Sequence, residues 1–219
     1  MQSNADKYFV TVDAVVFTIL DKQLKILLIK RKNDPFRGSY ALPGGFVEEK
    51  ENLEDAAKRE LEEETGVKNI YLKKLVAFGN VGRDPRGRVI TIPYLALIAA
   101  DDIKLHATTD AELAKWHSVY DLPKLAFDHD KIIEEALREL RFELEHSNIA
   151  YQFMPEKFTL TELQKAYETI LNKGLDKRNF RKKMKELGFL TSYRERKMEG
   201  AHRPAQLHGY KDKRYRRIG

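Results

Sequence analysis

The chain has 219 residues, no cysteine, 42 % hydrophobic and 34 % charged residues; that suits a medium domain plus a small one and excludes disulfides, thiolate metal sites and a cysteine nucleophile. Net charge is +6 but unevenly spread: residues 155–219 hold 18 Lys and Arg against 8 Asp and Glu, net +10, leaving 22 against 26 in residues 1–154, net −4. An acidic body with a basic tail reads either as two jobs, the second with a polyanion as partner, or as a lysine-rich surface that merely stays solvated.

The opening, Met1–Lys7, is polar and lacks the basic flank and apolar core of a signal peptide. No stretch approaches the roughly 18 uninterrupted apolar residues of a membrane span, so a cytoplasmic protein with no membrane partner is expected. Phe9–Leu20 and Leu24–Lys30 read as strands rich in Val, Ile, Phe and Leu, joined by a turn at Asp21-Lys22. A loop with Pro35, Gly38 and Pro43-Gly44-Gly45 follows. Asn52 is placed to cap a helix over Leu53–Thr65 that Gly66 closes. Ile70–Gly79 and Val89–Ala99 are further strand candidates around the polar loop Gly82–Arg88, and Lys115–Val119 is one more. Asp130–Glu145 carries Ile133, Ala136, Leu137, Leu140 and Leu144 at helical spacing. Interleaved strands and helices imply an α/β domain over residues 1–147.

Residues 148–156 read as a linker with two aromatics, Tyr151 and Phe153, and a second domain spans 157–219. There Thr159 and Glu162 have capping-box spacing at the start of a helix running to about Asn172, which Gly174 breaks. Asp176 caps a second helix that ends at Leu187-Gly188. Phe189–Tyr193 and Ala205–Tyr210 would be strands around a charged loop, Arg194–Arg203. Two helices joined by a short turn and followed by a β-rich basic tail outline a winged helix-turn-helix.

Residues 45–67 read GFVEEKENLEDAAKRELEEETGV. At about 100° per residue, Glu60, Glu63 and Glu64 project from one side of the helix, where like charges cost stability unless a cation neutralises them. Mg²⁺ (or Mn²⁺) prefers such oxygen ligands and bridges carboxylates to substrate phosphates. Arg59 precedes Glu63 by four residues and can brace it, while Gly44 and Gly45 permit a tight turn ahead of the helix. Leu53, Ala56, Ala57 and Leu61 remain for packing against the sheet. The competing reading is a solvated Glu-rich helix.

The stretch resembles the Nudix signature, G-x5-E-x7-R-E-U-x-E-E-x-G-U with U aliphatic, at every constrained position: Gly45, Glu51, Arg59, Glu60, Leu61, Glu63, Glu64, Gly66 and Val67. The approach Gly38-x-Tyr40-x-Leu42-Pro43-Gly44-Gly45 is similar to that of many Nudix proteins. The resemblance implies an α/β/α sandwich with a mixed sheet that hydrolyses a diphosphate bond in a nucleoside diphosphate linked to another group. Glu60, Glu63 and Glu64 would be the metal ligands, Glu51 and Arg59 would complete the catalytic set, and one of the three ligands or Glu51 would help activate water. Gly45, Arg83 and Arg86 are the substrate-binding candidates; guanidiniums around the 83–88 turn suit phosphate, a dimer contact, or simple solvation. The run Arg83-Asp84-Pro85-Arg86-Gly87 before a β-branched strand is similar to Nudix proteins that act on ADP-ribose, which makes ADP-ribose the expected ligand.

In the second tail helix Phe180, Met184 and Leu187 face inward, leaving Lys177, Arg178, Arg181, Lys182 and Lys185 outward. A helix fits the major groove, where Arg reads guanine, Asn reads adenine and Lys neutralises phosphate; Arg178 and Asn179 sit at its start, where recognition helices touch bases. Thr161, Arg203, Lys211, Lys213, Arg214, Arg216 and Arg217 would add contacts. Phe158-Thr-Leu-Thr-Glu-Leu-Gln164, Leu175-Asp-Lys-Arg-Asn-Phe-Arg-Lys182 and Arg203-Pro-Ala-Gln-Leu207, placed after a Nudix domain, resemble the Nudix-related transcriptional regulators of the NrtR group and their sugar-responsive relatives. That implies a homodimer whose Nudix domain senses ADP-ribose and whose winged helices bind double-stranded operator DNA. Many regulators of the group have a degraded box; this one is intact, so hydrolysis is an open expectation. The rivals are a plain ADP-ribose pyrophosphatase with an accessory tail and a sugar-sensing regulator.

Overall fold

The computed structural model describes residues 7–68, 70–100, 114–198, 204–212 and 214–217. By contacts these residues form two compact units, 7–17, 25–98 and 114–138 in the first and 18–24, 99–100 and 139–217 in the second. No helix among them is long and apolar enough to cross a membrane.

The first unit is organised on a mixed sheet. Strand β1 (Phe9–Leu20) runs parallel to β6 (Val89–Leu97), pairing from Phe9↔Val89 to Phe17↔Leu97. β2 (Gln23–Lys30), β3 (Tyr40–Ala41) and β5 (Tyr71–Lys74) extend the sheet in the order β3-β2-β1-β6-β5, with β4 (Gly44–Phe46) paired to β1 and β7 (Ala114–Ser118) to β2. Val12, Ala14, Val15, Val16 and Phe17 are all buried because a central strand is covered on both faces, so its sequence reads as a continuous apolar run. Asp21 and Lys22 both take positive φ, as a tight hairpin turn demands.

Helix α1 (Leu53–Thr65) buries Ala56, Ala57 and Leu61, and Gly66 closes it in the left-handed conformation. Ala56 and Ala57 cluster with Val12 and Tyr94, and Leu61 with Val16, Leu27 and Ala96, which fixes the roll of the helix and hence the direction of its glutamates. Asn52 stands at the N-cap without capping, because its side-chain amide donates to Asp55 instead. The strand expected over 70–79 stops at Lys74, beyond which the Leu75 N–H bond to the Pro93 carbonyl and a bridge from Phe78 to Thr91 remain. Helix α2 (His129–His146), whose residues from Glu139 onward belong to the second unit, buries Ile132, Ile133, Ala136, Leu140 and Leu144, with Leu137 only half-buried.

The second unit contains a winged helix. The stretch expected as a linker is packed: Ile149–Phe153 forms a 3₁₀ turn with Ile149, Ala150 and Phe153 buried. β8 (Phe158–Thr159) leads into α3 (Leu160–Leu171), which carries the complete Thr159–Glu162 capping box. Asn172, not Gly174, takes the left-handed closing position, its short side chain tolerating positive φ. Asp176 caps α4 (Lys177–Leu187) through the Asn179 N–H. β9 (Leu190–Lys197) runs well into the residues expected as a loop, because pairing with β10 (Ala205–Tyr210) carries it through Arg196 and Lys197. The sheet order is β8-β10-β9. Phe158, Leu163, Tyr167, Ile170, Phe180 and Met184 make the core.

Candidate functional site

The glycine that opens the glutamate-rich stretch is held by the central strand: Gly44 pairs with Asp13, Gly45 with Val12 and Phe46 with Thr11. A Cβ at Gly45 would lie 2.3 Å from Glu60 Oε1, so only glycine lets this carboxylate close onto β4. Gly44 sits at φ 155°, where a Cβ would strike the Val12 carbonyl oxygen at 2.1 Å. Its N–H donates to Glu64 Oε2 at 2.8 Å.

Arg59 organises the rest. Its guanidinium donates twice to Glu51, at 2.7 and 3.1 Å, and also to Glu60 at 2.8 Å, Glu63 at 3.3 Å and the Phe46 carbonyl at 3.2 Å. The brace expected at Glu63 is therefore chiefly a fork onto Glu51, which helix spacing alone does not reveal. Arg59 holds the Glu51 carboxyl below its ordinary range, helped by the Glu48 N–H. Burial pushes Glu60 up against the pull of Arg59. Glu64 is pushed up to about 8 by burial, opposed by the Gly44 N–H and reinforced by Glu60 and Asp13.

Glu60, Glu63 and Glu64 line one cavity of about 350 Å³ together with Arg31 and Asn33. Among the described residues no three acidic or histidine side chains converge as ligands in this arrangement: Glu60 and Glu63 share Arg59, and Glu64 turns to Gly44. The donor set still fits a hard divalent cation, since all three are carboxylates on one wall and two of them bear charge that burial and mutual repulsion disfavour.

A smaller cavity of about 80 Å³ shares Ile29, Arg31 and Glu64 with the first and adds Asp13, Phe46, Arg83, Arg86, Phe127 and His129. Arg83 is nearly buried and forks onto Asp128 at 2.7 and 3.1 Å. Arg86 forks onto the buried Asp84 and lies 5.0 Å from the Phe46 ring centre and 5.4 Å from that of Phe127. Arg31 faces Phe127 at 4.8 Å. So Arg83 and Asp84 brace the inner side of the 83–88 loop, while Pro85, Arg86 and Gly87 stay exposed. Buried His129 accepts from the Leu42 N–H at 2.9 Å on Nδ1 and sets Nε2 3.6 Å from Asp13, whose other oxygen accepts from Thr91. Arg31, Asp13, Phe127 and His129 escaped the sequence reading because they lie in no motif; the only local signal, positive φ at Phe127, is visible in structure alone.

In the second unit α4 exposes Lys177, Arg178, Asn179, Arg181, Lys182 and Lys185 while burying Phe180 and Met184; Leu187, expected inside, is half-buried. Thr161 is half-buried in the first turn of α3. Arg203 and Lys213 lie outside the described residues. Of the C-terminal cations expected to add contacts, Arg214, Arg216 and Arg217 meet carboxylates of the same unit while staying half or more exposed. Arg217 pairs with Glu143, whose side chain is fully buried, and Tyr215 donates its hydroxyl hydrogen to the same carboxylate at 2.6 Å. Arg214 and Arg216 both reach Asp212, and Asn148 binds the backbone of 214 and 216. The buried carboxylate draws the tail inward, a consequence invisible to charge counting.

Comparison with known proteins matches residues 10–140 to the NUDIX domain and residues 150–210 to the NrtR DNA-binding winged helix domain. The chain is 39 % identical over 204 residues to an ADPR-responsive transcriptional repressor, NtrR, of Acinetobacter baylyi, covering 91 % of this chain and 81 % of that protein. It is similar to Shewanella oneidensis NrtR solved with a 27mer DNA, at 37 % identity and a TM-score of 0.81 over 92 % of this chain and 93 % of that one. The Nudix domain of the same protein, solved with ADP ribose, matches at 38 % identity and a TM-score of 0.56 over 64 % of this chain and 93 % of that one. An ADP-ribose pyrophosphatase of Methanocaldococcus jannaschii is 48 % identical over 120 residues, 55 % of this chain and 70 % of that protein.

Proposed function

The chain belongs to the NrtR family of Nudix-related regulators, and from that premise we propose that it is a transcriptional regulator of repressor type that binds operator DNA and responds to ADP-ribose. The observation that carries this is the conjunction of an α4 whose outer face is cationic with an arginine- and aromatic-lined Nudix pocket. Arg178 and Asn179 at the start of α4 read base edges; Lys177, Arg181, Lys182 and Lys185 meet phosphates, with Thr161 at the start of α3 beside them; Arg203 would add a further contact. Each chain supplies one recognition helix, so a homodimer on a palindromic site is the arrangement that fits, in the cytoplasm. A diphosphate suits Arg31 and Arg86, with Arg83 bracing the wall through Asp128 and Gly45 letting the ligand's neighbour Glu60 approach.

The test is selection from a randomised duplex pool followed by a titration with ADP-ribose. Enrichment of a palindrome whose affinity changes at least tenfold with ADP-ribose supports the reading; no enrichment overturns it. A thermal-shift series with ADP-ribose, NAD and pentoses separates a nucleotide sensor from a sugar sensor.

The intact box supports a second activity, hydrolysis of ADP-ribose to AMP and ribose 5-phosphate. Nudix hydrolases generally use a divalent cation; Glu60, Glu63 and Glu64 would hold Mg²⁺ or Mn²⁺, which when bound neutralises the diphosphate and acidifies water. Arg59 keeps Glu51 ionised and Glu60 in place, and Gly44 orients Glu64. Chromatography of ADP-ribose incubated with protein and Mg²⁺ reads the outcome: AMP formation that Glu64→Gln abolishes supports hydrolysis, and no turnover removes it.

A further inference from the structure

A cleft of about 400 Å³ opens beside α4 in the second unit. Arg181 and Lys185 line it from α4, Ser192 from β9, His208 from β10 and Lys211 from the turn beyond, over a floor that includes Met184. No described residue lining it is acidic. Some cations elsewhere in this unit meet carboxylates: Lys157 meets Glu195, Lys197 meets Glu162, and Arg217 meets Glu143. Here Arg181, Lys185 and Lys211 stand exposed around one opening with no acidic lining residue, an electropositive spot that suits an anion from outside.

His208 adds chemistry. Its Nδ1 stands 3.1 Å from the Gln206 carbonyl oxygen and so carries the ring hydrogen, leaving Nε2 an acceptor in the neutral form. Burial, and the nearby Arg181, hold the imidazole below its ordinary 6.5 despite the Gln206 bond. Around it the elements supply Arg181 and Lys185 from α4, Ser192 from β9, Lys211 after β10 and only apolar Leu160 from α3. An anionic oxygen entering beside Arg181 needs a proton on Nε2, and its charge favours one there.

We propose that this cleft clamps one backbone phosphate of the operator, held by Arg181, Lys185, Lys211 and protonated His208, so that DNA binding takes up a proton. Ser192 supplies a hydroxyl donor at the rim. The clamp rests on the DNA-binding reading above and adds residues distinct from the base-reading start of α4. It is blind to sequence, because phosphates are the same at every step of the duplex.

Fluorescence anisotropy on the full chain tests it, with the selected palindrome and a scrambled duplex, across a salt series, at pH 6 and pH 8. Wild type should bind both duplexes more tightly at pH 6. Lys211→Ala should weaken both by roughly fivefold and lower the slope of log affinity against log salt by about one. His208→Gln, checked for an unchanged melting curve, should lose most of the pH 6 advantage on both duplexes, whereas Arg178→Ala should harm the palindrome selectively. Wild-type slopes and pH dependence in Lys211→Ala and His208→Gln, on a duplex that wild type binds, overturn the clamp and leave the regulator reading standing. Failure of wild type to bind either duplex overturns both.

Discussion

The backbone N–H of Gly44 donates to the Glu64 carboxylate at 2.8 Å, tying the last glutamate of the box to the strand that precedes its helix. Gly44 and its neighbour Gly45 answer to different constraints, the first set by the Val12 backbone and the second by the Glu60 side chain.

Gly45→Ala should leave the fold and empty the site. The added carbon meets the carboxylate end of Glu60 at 2.3 Å, and a flexible side chain can move away. A melting temperature within a few degrees of wild type, with ADP-ribose turnover or binding reduced at least tenfold in calorimetry, is the expected pair of results. Gly44→Ala meets the Val12 carbonyl at 2.1 Å and should cost about 3 kcal/mol of stability, as overpacking against a fixed backbone does. Equal effects on stability from both variants would contradict this division.

Arg83→Ala should behave as a stability variant. Its guanidinium is 4 % and Asp128 13 % exposed, so truncation strands a carboxylate away from water at a cost of about 3 kcal/mol. Urea denaturation should show that loss, and Asp128→Asn in the Arg83→Ala background should recover part of it. Unchanged stability would mean that the pair is not the brace described.

The tail arginines give a sharper contrast. Deleting residues from 215 onward removes the Tyr215 and Arg217 contacts to fully buried Glu143 and should lower the melting temperature by roughly 5–10 °C. Arg217→Ala, once folded, should bind DNA within twofold of wild type, since that charge is engaged inward. A loss comparable to that of Arg178→Ala would return Arg217 to the DNA-facing surface.

Burial keeps His129 neutral, its pKa held below 6.5 against the pull of Asp13. Between that lowered value and 6.5 the unfolded chain takes up a proton that the folded chain refuses, so stability falls as pH drops through this window. Thermal melts from pH 8 to pH 5 should steepen below about 6.5, and His129→Gln should flatten that limb while lowering stability at pH 8, because the Leu42 N–H loses its ring acceptor. A wild-type acid limb in the variant would exclude this histidine as its source.

Where local chemistry suffices, the chain could be read directly. The Thr159–Glu162 box, Asp176 before α4, and Gly66 and Gly188 after their helices are short-range devices that sit where their spacing places them. Asn52 shows the limit: the N-cap position was legible, but a carboxylate three residues on captured its side chain.

The linear order of residues determined the glutamate face of α1, its glycines and arginine, and the cationic helix beside an apolar one, because helical periodicity turns spacing into faces. Tertiary structure alone decided which partner each charge keeps. Arg59 chose Glu51 over Glu63, Arg83 took Asp128, and Arg217 folded back onto Glu143. Those choices depend on which carboxylates burial has stripped of water, a property of the packed chain that no spacing encodes.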